Sequence, residues 1–166
     1  MKYIISERQY KLLVKEQEEE ILYIPSVELF GNWNTLQKFL ERKGNPLYSI
    51  GGDLDLRNSD IKSLGNLTSV DGYLDLGYSK IKSLGNLTSV GEDLDLSNSK
   101  IESLGNLTSV GGNLNLRNSD IKSFGNLTSV GRNLYLYGTP LYKEIRQKKY
   151  SEKEIRQMVN VGGNIF

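Results

Sequence analysis

The chain has 166 residues, enough for about one domain, and its 21 Lys and Arg nearly balance its 20 Asp and Glu. A charge this close to neutral argues against a strongly basic nucleic-acid-binding protein. There is no Cys and no His, which excludes disulfides, thiol nucleophiles, zinc sites built from those ligands and imidazole acid–base chemistry.

Residues 1–46 are predicted to form an N-terminal helical cap. Ser6-x-x-Gln9 is a capping-box pattern that begins a helix over 7–20. A strand is predicted over 21–24, before Pro25, and a second helix over 34–43 with Gly44 as its stop. Charged residues interrupt the opening apolar run, and nowhere is there an apolar run of about 18 residues. We therefore expect a cytoplasmic protein with no membrane span.

A 20-residue repeat fills the middle of the chain. Residues 51–70, 71–90, 91–110 and 111–130 are four near-identical copies without an insertion; a half copy precedes them and a fifth begins at Gly131. Such self-similarity is typical of a solenoid, in which one coil buries its apolar face only by stacking on its neighbours. We predict a repeat solenoid over 47–141, with coils about 4.8 Å apart.

Each copy carries six apolar positions. Leu54 and Leu56 have the two-residue spacing of a strand with one buried face, so the coils are predicted to share one short parallel sheet. The other four positions lie three residues apart, which favours a 3₁₀ or polyproline II return path. In the first copy the six positions are Leu54, Leu56, Ile61, Leu64, Leu67 and Val70.

The run Leu54-x-Leu56-x-x-Ser59-x-Ile61 resembles the core of leucine-rich repeats, in which Asn usually stands where Ser59 does. Residues 106–116 are also similar to the coils of receptor L domains. The resemblance covers about 47–141 and implies a solenoid that binds proteins. Residues 1–13 resemble the openings of uncharacterised phage-encoded proteins, which implies a phage accessory factor acting on a host protein, or a minor virion component.

Residues 142–166 are predicted to form a C-terminal cap, which makes the whole domain α+β. Ser151-x-x-Glu154 is another capping box and begins a helix over 151–159. Residues 158–165 copy the register of 127–134 after 31 residues instead of 20, so we expect a coil enlarged by this helix and a final strand over 164–166. Residues 131–166 carry seven basic residues, but three interleaved Glu weaken a phosphate-binding surface, and nucleic-acid binding is not expected.

The candidate binding surface is the outward face of the predicted sheet, formed by the residues that flank the two buried leucines of each coil. Three stacked aspartates repel one another, which favours a basic partner or a cation. Tyr and Arg on the same face are residue types enriched in binding hot spots. The predicted partner-binding residues are Asp55, Asp75, Asp95, Tyr73, Arg57, Arg117, Tyr135 and Tyr137.

Other interpretations stay open from the sequence. The aspartates could be solubilising charges copied with the repeat, and Tyr135 and Tyr137 could pack under the C-terminal helix. Oxygen ligands would suit Ca²⁺, but no calcium-loop signature accompanies them, so no metal or cofactor is predicted. Asp53 and Asp55 have a spacing of about 7 Å, as in a glycosidase pair, yet an open sheet offers no dry pocket and no enzyme is predicted. The alternatives to protein binding are self-assembly and, less favoured, a Ca²⁺- or carbohydrate-binding protein.

Overall fold

The computed structural model describes residues 20–166, which wind into a parallel β-solenoid of about four coils. The helix predicted over 7–20 therefore lies almost wholly outside the described residues. In residues 20–166 there is no helix long and apolar enough to cross a membrane.

The segment before the repeats has the predicted strand and helix. Strand β1, Leu22–Ile24, is followed by a 3₁₀ turn, Val27–Phe30, and by helix α1, Trp33–Arg42. The side chain of Asn32 accepts the Thr35 N–H at 3.0 Å and so caps α1. Trp33, Leu36 and Leu40 are buried against the first coils.

Each coil contributes strands to two parallel sheets, so the prediction of one sheet was wrong. The seven-stranded sheet has the order β1-β2-β4-β6-β8-β10-β12, and the five-stranded sheet the order β11-β9-β7-β5-β3. The first comprises β1, β2 (Tyr48–Ile50), β4 (Leu67–Val70), β6 (Ser89–Val90), β8 (Ser109–Val110), β10 (Ser129–Val130) and β12 (Asn160–Val161). The second comprises β3 (Leu54–Asp55), β5 (Leu74–Asp75), β7 (Leu94–Asp95), β9 (Leu114–Asn115) and β11 (Leu134–Tyr135).

Part of the segment that was predicted to follow a 3₁₀ or polyproline II path forms the strands of the seven-stranded sheet instead. In β4 both end residues are buried while Thr68 and Ser69 are half-buried, so the strand lacks the usual two-residue alternation. Its pairing depends on bonds between coils: the Thr88 N–H donates to the Thr68 carbonyl at 2.8 Å, and the Thr88 hydroxyl donates to the same oxygen at 2.9 Å. Apolar periodicity carries no signal for such a ladder of threonines.

The six apolar positions of the repeat form the core, as predicted. In the second coil each of them is 1 % exposed or less. The Ser or Thr in the column of Ser59 is buried from the second coil onward. The hydroxyls of Ser99, Ser119 and Thr139 donate to the carbonyl three residues earlier, as in Ser99 to Leu96 at 2.6 Å. The Ser79 hydroxyl has no partner among residues 20–166. The six second-coil residues are Leu74, Leu76, Ile81, Leu84, Leu87 and Val90.

The corner that leads out of the seven-stranded sheet is a stack of glycines. A Cβ added to Gly111 would lie 2.0 Å from the carbonyl oxygen of Gly91, directly below it. The same contact, at 2.0 to 2.2 Å, recurs at Gly91, Gly131 and Gly162. From Gly91 onward, the absence of a Cβ lets successive backbones approach closely at this corner, whereas Asp71 occupies the same column in the second coil.

The C-terminal segment holds two helices where one was predicted. Helix α2, Pro140–Lys148, follows the last repeat, and helix α3, Glu152–Met158, has the predicted capping box of Ser151 and Glu154. Strand β12 then pairs with β10 in the register Ser129↔Asn160 that the sequence copy predicts. The predicted final strand is a short bridge in which Ile165 pairs with Leu134 of the five-stranded sheet.

Candidate partner-binding face

The strand face is the outward side of the five-stranded sheet, and its residues lie in straight rows across the coils. The pairing registers align Asp55 with Asp75, Asp75 with Asp95, Asp95 with Asn115 and Asn115 with Tyr135. The three predicted aspartates are therefore stacked on adjacent strands. Asp55 is exposed, and the other two are half-buried.

Asp55 is already neutralised within its own coil. Its carboxylate accepts from the Arg57 Nε at 2.9 Å and from the Nη2 at 2.5 Å. The Arg57 side chain bonded to this carboxylate lowers the pKa of Asp55 below its ordinary value. Arg57 also lies 3.7 Å from Asp75, so one guanidinium serves two stacked carboxylates.

Asp75 and Asp95 are oriented by the backbone that follows them. Oδ1 of Asp75 accepts the Gly77 N–H at 2.9 Å, and Oδ1 of Asp95 accepts the Ser97 N–H at 2.7 Å. Asn115 makes the equivalent bond to the Arg117 N–H at 3.3 Å, so an amide oxygen can replace the carboxylate in this role. These turns hold the side chains in place. Oδ2 of Asp95 also accepts from Asn115 Nδ2 at 3.0 Å, and Oδ2 of Asp75 lies 3.7 Å from the Arg57 Nε.

The residues that follow these two aspartates carry no long side chain, and Gly77 itself is buried. The row that follows the aspartates reads Arg57, Gly77, Ser97, Arg117 and Tyr137, with its two smallest side chains in the middle. The two arginines are three coils apart, about 14 Å at the spacing of parallel strands. We call the surface formed by Asp75, Gly77, Asp95 and Ser97 the central notch.

The aromatic residues of the face divide into a packed one and an exposed one. The ring of Tyr135 stacks on Phe166 with centroids 5.0 Å apart, and the Arg117 guanidinium lies 3.9 Å from its other face. Tyr137 is 64 % exposed, and its ring centroid lies 5.9 Å from that of Tyr142 in α2. Of the alternative in which both tyrosines pack under the C-terminal helix, only a contact between Tyr137 and α2 is seen. Tyr135 packs on Phe166 instead.

Tyr73 lies in the row before the aspartates, two residues before Asp75. It lines a groove of about 460 Å³ together with Asp55 and with Glu28 and Trp33 from the segment before the repeats. Of the eight predicted residues, the structure thus brings Asp55, Arg57 and Asp75 together at one side. Asp95 lies in the middle, and Arg117, Tyr135 and Tyr137 lie at the C-terminal side.

Tyr78 is a candidate that was missing from the predicted set. It is 63 % exposed, follows Gly77 of the notch and has a φ of 58°. That left-handed conformation is unfavourable for a bulky residue and suits Asn, which occupies the same place in three other coils. Aligning the four repeats of the sequence shows Tyr at this position where the other three copies have Asn, and this difference could have revealed the candidate.

The row before the aspartates holds the coils together. Oδ1 of Asp53 accepts the Tyr73 N–H at 3.0 Å, and Oδ1 of Asp93 accepts the Asn113 N–H at 2.7 Å. Asp53 therefore bonds to the next coil while Asp55 bonds to Arg57, and both line the groove beside Tyr73. Among the described residues, no three acidic side chains are grouped closely enough to hold a metal ion.

Comparisons with protein-family models, with curated proteins and with solved structures give no match. The resemblances to leucine-rich repeats and to phage-encoded proteins thus stay predictions from the motifs quoted above. The chemistry of the strand face is what remains to support a functional proposal.

Proposed function

We propose that this protein is a non-enzymatic protein-binding module and that its partner docks on the strand face. The central notch is the observation that carries this proposal. Within it, two carboxylates are held in place by backbone N–H groups, and the residues that follow them, Gly77 and Ser97, carry no long side chain. A Lys or Arg side chain of the partner would bond to both carboxylates from the solvent side.

The residues around the notch complement such an anchor. Arg57 is held by Asp55 and lies 3.7 Å from Asp75, so an incoming cation would share the Asp75 carboxylate with it. Arg117 is held over the ring of Tyr135. The exposed rings of Tyr78 and Tyr137 would add apolar contact on the two sides. Aromatic residues around a buried polar anchor are the usual composition of a binding hot spot.

The rigidity of the face favours binding. Two of the notch side chains are oriented by backbone bonds, and each strand is paired on the adjacent coils. A surface that is already ordered loses little conformational entropy when the partner docks. In the same proposal the coils are leucine-rich-repeat-like, the terminal helices act as caps, and the protein is a cytoplasmic phage factor acting on a host protein.

The test removes the charge of the notch and keeps its two backbone hydrogen bonds, while the bond from Asn115 Nδ2 to Oδ2 of Asp95 is lost. In the double variant Asp75→Asn and Asp95→Asn, the amide oxygens can still accept the two backbone N–H groups, as Asn115 does. The matched control, Asp60→Asn with Asp120→Asn, removes two charges from exposed side chains outside the strand face. Affinity capture from host lysate, quantified by mass spectrometry, compares both variants with the parent.

We expect a stoichiometric partner that the notch variant loses at least about tenfold, which corresponds to roughly 1.4 kcal/mol, and that the control retains. Equal capture by both variants would refute the notch as the binding site. Self-assembly, the other candidate, would instead give an oligomer whose mass persists on dilution. A Ca²⁺-binding protein would lose thermal stability when a chelator is added.

A further inference from the structure

Strand β12 is the last strand of the seven-stranded sheet. In its coil, an arginine side chain bonds to the backbone carbonyls that in other coils accept N–H groups of the next coil. Each earlier junction shows what those carbonyls normally do. The Val90 and Glu92 carbonyls accept the Gly111 and Gly112 N–H groups of the next coil, both at 2.9 Å.

The same pair of bonds joins the last two coils. The Val130 carbonyl accepts the Gly162 N–H at 2.8 Å, and the Arg132 carbonyl accepts the Gly163 N–H at 2.9 Å. Two carbonyls, two residues apart at the glycine corner, are thus the acceptors that each coil offers to its successor. In the last coil, the pairing register assigns these positions to Val161 and Gly163.

Arg156 bonds to these two carbonyls. Its Nη1 donates to the Val161 carbonyl, and its Nη2 donates to the Gly163 carbonyl at 2.6 Å. Glu152, one turn earlier in α3, accepts from Nε at 2.9 Å and from Nη2 at 2.6 Å and so orients the guanidinium. The planar fork of an arginine can serve two acceptors at once, which a single ammonium group cannot do in the same way.

We propose that Arg156 occupies the acceptors that a further coil would use and so keeps the edge of β12 from pairing with the edge of a second copy of this chain. An open strand edge is a template for further pairing. A stack of nearly identical coils is especially exposed to it, because every coil offers the same pattern of donors and acceptors. The inference is independent of the partner-binding function proposed above.

The test is Arg156→Met, which keeps an unbranched side chain that favours helix but removes every donor. Lys153→Met is the matched control, because Lys153 is an exposed residue of the same helix and the same charge is lost. The molar mass of both variants and of the parent is measured by light scattering over a series of protein concentrations. We expect Arg156→Met alone to self-associate, reaching at least twice the molar mass of the parent at the highest concentration.

Two outcomes would overturn the proposal. One is a folded Arg156→Met variant, with the circular dichroism of the parent, that keeps the parent's mass at every concentration. The other is equal association of Lys153→Met, which would assign the effect to charge. If Arg156→Met does not fold, Arg156→Lys replaces it: charge and stem are kept, the fork is lost, and an unchanged mass then refutes the blocking role.

Discussion

Replacing Gly111 by Ala tests the close stacking of the glycine corner. The new Cβ would lie 2.0 Å from the Gly91 carbonyl oxygen and 2.9 Å from its carbon, where backbone and not a movable side chain is in the way. Relieving the overlap requires the two coils to separate by about 1 Å or more, because a normal contact is roughly 3.4 Å or longer. The neighbouring coils cannot tilt freely, since each is paired on both sides.

The magnitude follows from the bonds that the separation breaks. The Gly111 and Gly112 N–H groups donate to carbonyls of the preceding coil, both at 2.9 Å. Gly111 and Glu92 are exposed, but the Val90 carbonyl and the Gly112 N–H belong to buried residues. Leaving a buried donor or acceptor unsatisfied costs about 1–3 kcal/mol, so the two together predict a loss of about 2–6 kcal/mol. The unfolding free energy falls by that amount, and the lower bound alone corresponds to a drop in Tm of roughly 4–8 °C for a chain of this size.

Gly125→Ala is the matched control. Gly125 has a φ of 58° but nothing within 4 Å of an added Cβ, so only the left-handed conformation is penalised, at about 1–2 kcal/mol. Both variants are compared by urea denaturation followed by circular dichroism. A loss at Gly111 no larger than the loss at Gly125 would show that the coils can separate without cost, and the close stacking would then not be required.

Three further predictions concern single side chains. Tyr78→Asn relieves the left-handed backbone at φ 58° and removes an exposed ring; we expect weaker capture of the partner without a lower Tm, and a lower Tm would contradict this. Ser99→Ala, which removes a hydroxyl bonded at 2.6 Å, should cost about 1 kcal/mol, whereas Ser79→Ala should be nearly neutral in denaturation, because its buried hydroxyl has no partner among residues 20–166. Ser151→Ala should raise the pKa of Glu154, which the Ser151 hydroxyl and N–H lower. A carboxyl whose pKa is lowered by folding stabilises the protein at pH values above its ordinary pKa, and this stabilisation is lost as the pH falls. The Tm deficit of Ser151→Ala should therefore shrink in acid, and a deficit independent of pH would count against the capping box.

The sequence is enough to predict which residues of the candidate site lie side by side, but not which hydrogen bonds their side chains make. Strand alternation at Leu54 and Leu56, repeated every 20 residues, is enough to predict that Asp55, Asp75 and Asp95 lie side by side. Alternation contains no information on which oxygen accepts which N–H. That Arg57 neutralises one carboxylate, and that Tyr135 is covered by Phe166, depends on side chains meeting in space.

The sequence by itself determined the solenoid, its period, its six core positions and even the register of the enlarged last coil, because a repeat that cannot bury its apolar face alone must stack in phase with its copies. Only the tertiary structure decided the second sheet, since β4 and its copies are stabilised by bonds between coils that leave no apolar periodicity behind. The same holds for Arg156: its two carbonyl partners come from the corner that follows α3, and a sequence pattern does not reveal that the guanidinium reaches them. Local pattern fixes which residues are buried together, whereas the hydrogen bonds between coils are fixed only when the coils meet.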